Sequence, residues 1–161
     1  MRNLPIRVVR SLETKIPAPV VAATAGATMK FFAKTWGVVI DPSVLRMVVG
    51  LAIAQASGLL VVIAVATMWR ARTTINPLDP AKARHLVTGG IYRWTRNPMY
   101  LSLLMLLVAY AIRLDSPYVW LGPLVFVAYV NRFQIRPEER VLEEKFGEAY
   151  RRYRERTRRW V

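Results

Sequence analysis

Four apolar stretches, separated by charged ones, set the frame of this chain. Residues 16–36 open on Ile16-Pro-Ala-Pro-Val-Val-Ala-Ala and stay apolar to Met29, after which Lys30 and Lys34 interrupt; this is the weakest candidate span. Residues 45–69 are nearly uncharged and reach the ~20 residues that a bilayer core requires. Within them Gly50, Ala54 and Gly58 recur every four residues, a small-residue spacing that lets a second helix approach closely. Residues 99–113 and 118–134 are apolar again and are split by Leu114-Asp-Ser-Pro117. Each is short for a lone span, and together they predict a tight helical hairpin, tilted or not fully crossing. Residues 137–158 predict an amphipathic helix, because Leu142, Phe146, Tyr150 and Tyr153 fall on one face at spacings of four, four and three. The expected fold is all-α: a multi-pass membrane helical bundle of about four transmembrane helices, with a short C-terminal helical hairpin and a cytosolic amphipathic helix. It forms one domain over residues 1–161, with an N-terminal transmembrane pair in 16–69 and a polar core unit in 70–161.

Charge sharpens this pattern. The formal net charge of +14 on 161 residues fits either nucleic acid or an anionic membrane. Its distribution decides for the membrane. Of the 24 Lys and Arg residues, 4 lie in residues 1–15, 6 in 70–98 and 10 in 132–161. Basic residues thus flank the apolar segments and form no stripe on a soluble fold. With four spans, all three basic-rich segments share one side, and the positive-inside rule makes that side cytosolic. The loops near Asp41 and Asp115 then lie outside. A signal peptide, with Arg2, Arg7, Arg10 and Lys15 as its basic region, is the competing reading of the N-terminus; the two prolines and the long basic lead argue against it. Cysteine is absent, which excludes disulfides, thiol catalysis and cysteine metal sites. His85 is the single histidine and makes no metal site alone. Phosphate-binding and dinucleotide-binding glycine motifs, a nucleophile elbow and a zinc-protease motif are all missing. Asn76-Pro77 and Asp79-Pro80 read as breakers in the polar 70–98 segment.

Two polar cassettes bracket the apolar hairpin. In the first, Thr88-Gly-Gly-Ile-Tyr-Arg-Trp-Thr-Arg-Asn-Pro-Met-Tyr100, Asn97-Pro98 reads as a helix start with Asn as the cap and Pro at the first helical position. Gly89-Gly90 permits a sharp turn or close approach to a ligand. Arg93 and Arg96 suit an anionic group, and Tyr92, Trp94 and Tyr100 suit a planar ring. The same residues also compose an ordinary interfacial turn with an aromatic belt and basic anchors. The second cassette begins Arg136-Pro-Glu-Glu-Arg140, a second helix start with Pro and carboxylates in the first turn. Glu138 and Glu139 either hold a cationic group or hydroxyls, or complement the helix dipole and pair with Arg136 and Arg140. Asn131 and Gln134 either line a site or reach the interface. Glu148 and Arg152 have the spacing of a surface ion pair. Arg151, Arg152, Arg154, Arg158 and Arg159 give a basic remainder suited to an anionic surface.

The two cassettes in order around a hairpin, continuing as Glu138-Glu139-x-x-Leu142 and Phe146-Gly-x-x-Tyr150-x-x-Tyr153, closely resemble the isoprenylcysteine carboxyl methyltransferase and phospholipid methyltransferase superfamily. Thr74-x-Asn76-Pro77 is similar to its small bacterial members. The resemblance covers about residues 73–161. The chain has Asn97 where many members have His, and Gly89-Gly90 where others have Gly-Pro or Ser-Gly. The resemblance implies an integral membrane enzyme, multi-pass in a bacterial inner membrane, with both termini and the site facing the cytosol. It implies S-adenosylmethionine as methyl donor, bound without a Rossmann fold, and residues 70–161 as the cofactor-binding catalytic core. Carried onto this chain, His85, Leu86, Val87, Gly90, Tyr92, Arg96, Asn97, Pro98 and Tyr100 wrap the donor. Glu138 and Glu139 complete the pocket, Tyr150 and Tyr153 close it as a lid, and Arg96 and Glu139 are the expected catalytic residues. No metal and no nucleic acid are expected. The expected partners are membrane lipids and a lipophilic acceptor, either isoprenylcysteine carboxylate-like or phospholipid amine-like, with the oligomeric state open. Two other readings stand beside it: a non-catalytic membrane scaffold binding anionic lipid, and a nicotinamide-dependent membrane reductase, since sterol reductases carry a related cassette.

Overall fold

The computed structural model describes residues 15–36, 40, 42–71, 85–114 and 116–161. The expected breakers Asn76-Pro77 and Asp79-Pro80, the Thr74-x-Asn76-Pro77 element, the loop residues Asp41 and Asp115 and the basic residues before Lys15 fall outside them. Within the described residues the chain is all-α. Helix α1 is Ala18–Thr35, α2 Val44–Arg70, α3 Pro98–Arg113, α4 Leu121–Val130 and α5 Arg136–Arg156. A 3-10 turn, Gly90–Arg93, precedes α3, and a second one, Pro117–Trp120, leads into α4.

Helix α2 is long and apolar enough to cross a membrane: 27 residues, with a stretch of mean hydropathy 2.4. Among the described residues it alone passes that test; α3 is apolar but shorter. Ser43 caps α2, accepting a hydrogen bond from the Arg46 N–H at 3.4 Å. In α1, Thr24 and Thr28 turn their hydroxyls back onto the carbonyls of Val20 and Thr24, which satisfies polar groups inside an apolar helix.

Helices α1, α3 and α4 share one core, with Met29, Leu107, Ala111, Val119, Phe126 and Val130 at its centre. Helix α2 lies against α3, touches the Gly90–Arg93 turn near its end, and exposes most of its remaining surface. Its buried residues are Gly50, Ser57 and Ala64, one small residue every seven. The expected small-residue contact is therefore real but shifted. Gly50 meets the Ala109 carbonyl, Ser57 donates to the Ser102 carbonyl at 2.7 Å, and Gly58 faces nothing. A heptad keeps one stripe on a left-handed crossing, whereas a four-residue spacing alone drifts off it.

The Arg136-Pro137 pattern predicts a fresh helix start, but the structure has none there. The chain runs without a break from α4 through a π turn, Asn131–Ile135, into α5. A proline inside a helix has no N–H and crowds the carbonyl four residues back. The wider turn, in which the Arg136 N–H reaches Asn131 O, is how a helix absorbs that defect. Glu138 and Glu139 consequently sit inside a continuous helix, not at a bare positive dipole end. Helix α5 bends at Gly147, which has φ +49°.

Both ends of the bundle are defined by contacts. At one end Gln134 donates to Ile16 O at 2.6 Å, just before α1, and Gly90 lies against Thr67 near the end of α2. At the other, Trp36 meets the Tyr118 ring at 4.9 Å and Ile40 bridges to Leu114. The helices alternate in direction, and the two cassettes share the first end.

Candidate active site

The expected face of α5 is present. Leu142, Phe146, Tyr150 and Tyr153 pack with Tyr92, Ala64, Leu86, Val87 and Met99 in a second cluster. Gly90 makes this possible. Its φ of +58° is left-handed, and a Cβ there would lie 3.3 Å from the Thr67 side chain. Any other residue is strained at that φ. The turn presses Tyr92 into the cluster, and the Tyr153 hydroxyl donates to Tyr92 O at 2.7 Å. Tyr150 stands edge-on to Tyr153 at 6.3 Å. Burial pushes all three phenols up, Tyr150 to about 12, so they remain neutral hydrogen-bonding rings. The Tyr92 hydroxyl is buried with no partner.

Beside this aromatic wall lies a charged cluster. Arg96 Nη2 meets Glu139 Oε1 at 2.9 Å, with 9% and 14% of the two side chains exposed. Arg96 Nε and Nη1 are buried and have no partner among the described residues. Arg159 grips the same carboxylate through two nitrogens, Nε at 3.1 Å and Nη2 at 2.6 Å. The Tyr100 hydroxyl donates to Glu138. Burial first, and then the charge of Glu139, push the Glu138 carboxyl up to about 8, against the pull of the Tyr100 hydrogen bond. Such a group keeps its proton longer in the folded chain than in the unfolded one. Stability therefore falls as pH rises from the ordinary value of 4.5 towards about 8. Thermal unfolding in detergent is expected to show that fall, and Glu138→Gln to flatten it; an unchanged slope in the variant would assign the effect elsewhere.

The structure brings Arg96, Tyr100, Glu138, Glu139, Tyr92, Tyr150 and Tyr153 together, with Leu86 and Val87 half-buried at the cluster's edge and Pro98 buried at the first turn of α3. His85 is exposed at the start of this segment. Two residues of the first cassette point elsewhere: Trp94 is 77% exposed and Arg93 is exposed. Asn97 occupies the cap position but makes no capping bond; its amide donates to Arg159 O at 2.9 Å. Asn131 and Gln134 tie segments together: Asn131 accepts from the Trp160 indole and Gln134 holds Ile16. Arg151, Arg152 and Arg154 pair with Glu143 and Glu148, including the expected Glu148–Arg152 pair. The C-terminal tail was missed as part of this site. Its clue was Arg159, a cation beyond the predicted helix, read with the basic surface.

An all-α fold with one membrane-length helix, and a buried charge cluster under an aromatic wall at one end, define a membrane-associated protein with an enclosed polar site. The sequence profile described as phospholipid methyltransferase matches residues 45–149. The chain belongs to that family, whose members are membrane methyltransferases. An uncharacterized protein of Haemophilus influenzae (strain ATCC 51907 / DSM 11121 / KW20 / Rd) is 49% identical over 63 residues, which is 39% of this chain and 100% of the relative. No solved structure matches the chain.

Proposed function

We propose that this protein is an integral membrane methyltransferase that takes S-adenosylmethionine from the cytosol and methylates a lipophilic acceptor entering from the bilayer. In this reading α1, α2, α3 and α4 all cross or enter the membrane, residues 70–161 form the catalytic core of a single domain, and the site faces the cytosol of a bacterial cell. The observation that carries it is Arg96: a family member holds, at the shared end of the bundle, an arginine with two buried nitrogens that no atom of the described residues satisfies. Unpaired buried donors are costly, and a ligand carboxylate can answer one of them through the fork that it makes with Nη2.

The other residues fit the same group. Among the described residues Tyr100 is the hydrogen-bond partner of Glu138, and a cation beside it would restore its charge. Tyr92, Tyr150 and Tyr153 offer ring surface to an adenine. Gly90 lets backbone approach, with Leu86, Val87, Asn97 and Pro98 shaping the turn around it. His85 borders this segment. The donor supplies an electrophilic methyl group on a sulfonium. The chain's part is to orient donor and acceptor, exclude water and place charge, which together suffice for an in-line displacement. Glu139 acts through Arg96, since its oxygens are taken by the two arginines. The acceptor is a lipid of carboxylate or amine type.

Isothermal titration of the protein in lipid nanodiscs with S-adenosylhomocysteine is expected to show binding that Arg96→Ala weakens by ~30-fold or more, the scale of a lost buried charge contact. Folded protein that binds neither this compound nor the donor ends the proposal.

A further inference from the structure

Residues 157–160, just after α5, are tied down by tertiary contacts. Thr157 N–H closes the helix onto Tyr153 O at 3.0 Å, and its hydroxyl reaches Arg93 O at 3.5 Å. Arg96 N–H donates to Arg158 O at 3.0 Å. The Arg159 carbonyl accepts from the Thr95 hydroxyl at 3.3 Å and from the Asn97 amide at 2.9 Å. The Trp160 indole donates to Asn131 at 3.3 Å, and its ring packs on the first core. A basic tail meant only for a lipid surface needs none of these contacts. Their common effect is to fix the backbone on both sides of Arg159.

Arg159 occupies the two-nitrogen fork position on Glu139, the geometry a guanidinium and a carboxylate prefer. Arg96 is left with a side-on contact from a single nitrogen. Two guanidiniums therefore share one carboxylate. Glu138, with its carboxyl pushed up to about 8, supplies little negative charge at neutral pH. The cluster carries surplus positive charge, and it lies at Arg96.

We infer that Arg159 is a positioning residue for the donor site: by holding both oxygens of Glu139 it keeps Arg96 from closing its own fork on that carboxylate, and so leaves Arg96 oriented with a free nitrogen beside Nη2 for the carboxylate of the donor. This rests on the proposed donor reading. Without Arg159, Glu139 accepts the Arg96 fork, one of the two buried nitrogens becomes satisfied internally as the guanidinium turns toward Glu139, and the ligand carboxylate loses part of its hold.

The test compares two probes on the full chain in lipid nanodiscs: S-adenosylhomocysteine, and its decarboxylated analogue, which differs only by the α-carboxylate. Arg159→Ala is expected to weaken the first by ~10-fold, the equivalent of ~1.4 kcal/mol, and to leave the second unchanged. Arg159→Lys keeps the charge but not the fork and is expected to behave like Arg159→Ala. Equal loss for both probes would show a merely structural strap and overturn the inference, as would wild-type affinities in Arg159→Ala or full rescue by lysine. Wild-type protein that binds neither probe would instead overturn the donor reading itself.

Discussion

Glu139→Ala is expected to cost this protein both its ligand affinity and a large part of its stability. The carboxylate is the counter-charge of two arginines, one of them almost fully enclosed. Removing one member of a buried, hydrogen-bonded charge pair costs ~3–5 kcal/mol, because the remaining charge is stranded. Nearly all of that comes from Arg96. Arg159 is 35% exposed, and water screens what it loses. Donor-product binding should weaken at least ~30-fold, since an unanchored Arg96 no longer presents its nitrogens in one place. Calorimetry and thermal unfolding in detergent read the two effects. Glu139→Gln keeps the shape and one acceptor oxygen, so it should fold and still bind poorly. A Glu139→Gln protein with wild-type affinity would show that the charge is not what organises Arg96.

The second large effect lies far from the charges. Gly50→Leu should loosen α2 from α3, because even a Cβ there comes within 3.2 Å of the Ala109 carbonyl and 3.3 Å of the Arg113 side chain. Backbone cannot step aside as a flexible side chain does. Overpacking of this kind costs ~1–3 kcal/mol, and the same helix carries Ala64 and Thr67, against which the Tyr92 turn is built. The variant should lower the unfolding temperature and reduce ligand binding together. Gly58→Leu is the control: nothing lies within 4 Å of a Cβ there, so both quantities should stay at wild-type values. Equal damage from the two substitutions would mean that the α2–α3 seam lies elsewhere.

The helices were legible because apolar runs broken by charges carry their own lengths, and the α5 face because its four ring and leucine positions repeat at helical spacing. Asn97-Pro98 does mark the start of α3, with Asn97 in the cap position, but without a capping bond. Asn before Pro is a strong local cap signal, but its amide found a better partner 62 residues away, in a tail that local rules cannot see. Pro137, by contrast, misleads. A proline normally marks a helix start, and only the neighbouring π turn lets this one sit inside a continuous helix. Arg159 shows the general limit. Its composition says surface cation, and only tertiary closure of the tail turns it toward Glu139.

The unbroken run from α4 through the π turn into α5 also works as a ruler. At ~1.5 Å per residue, Glu138 stands about 26 Å along the axis from Leu121, where the run begins at the hairpin turn. A hydrocarbon core is ~30 Å thick. If α4 crosses the membrane as proposed, with the hairpin turn near one face, the length of this rod would set the carboxylates at the level of the opposite headgroups. In the proposed function, that is the level at which a water-borne donor and a lipid-borne acceptor would reach the same few ångströms of space.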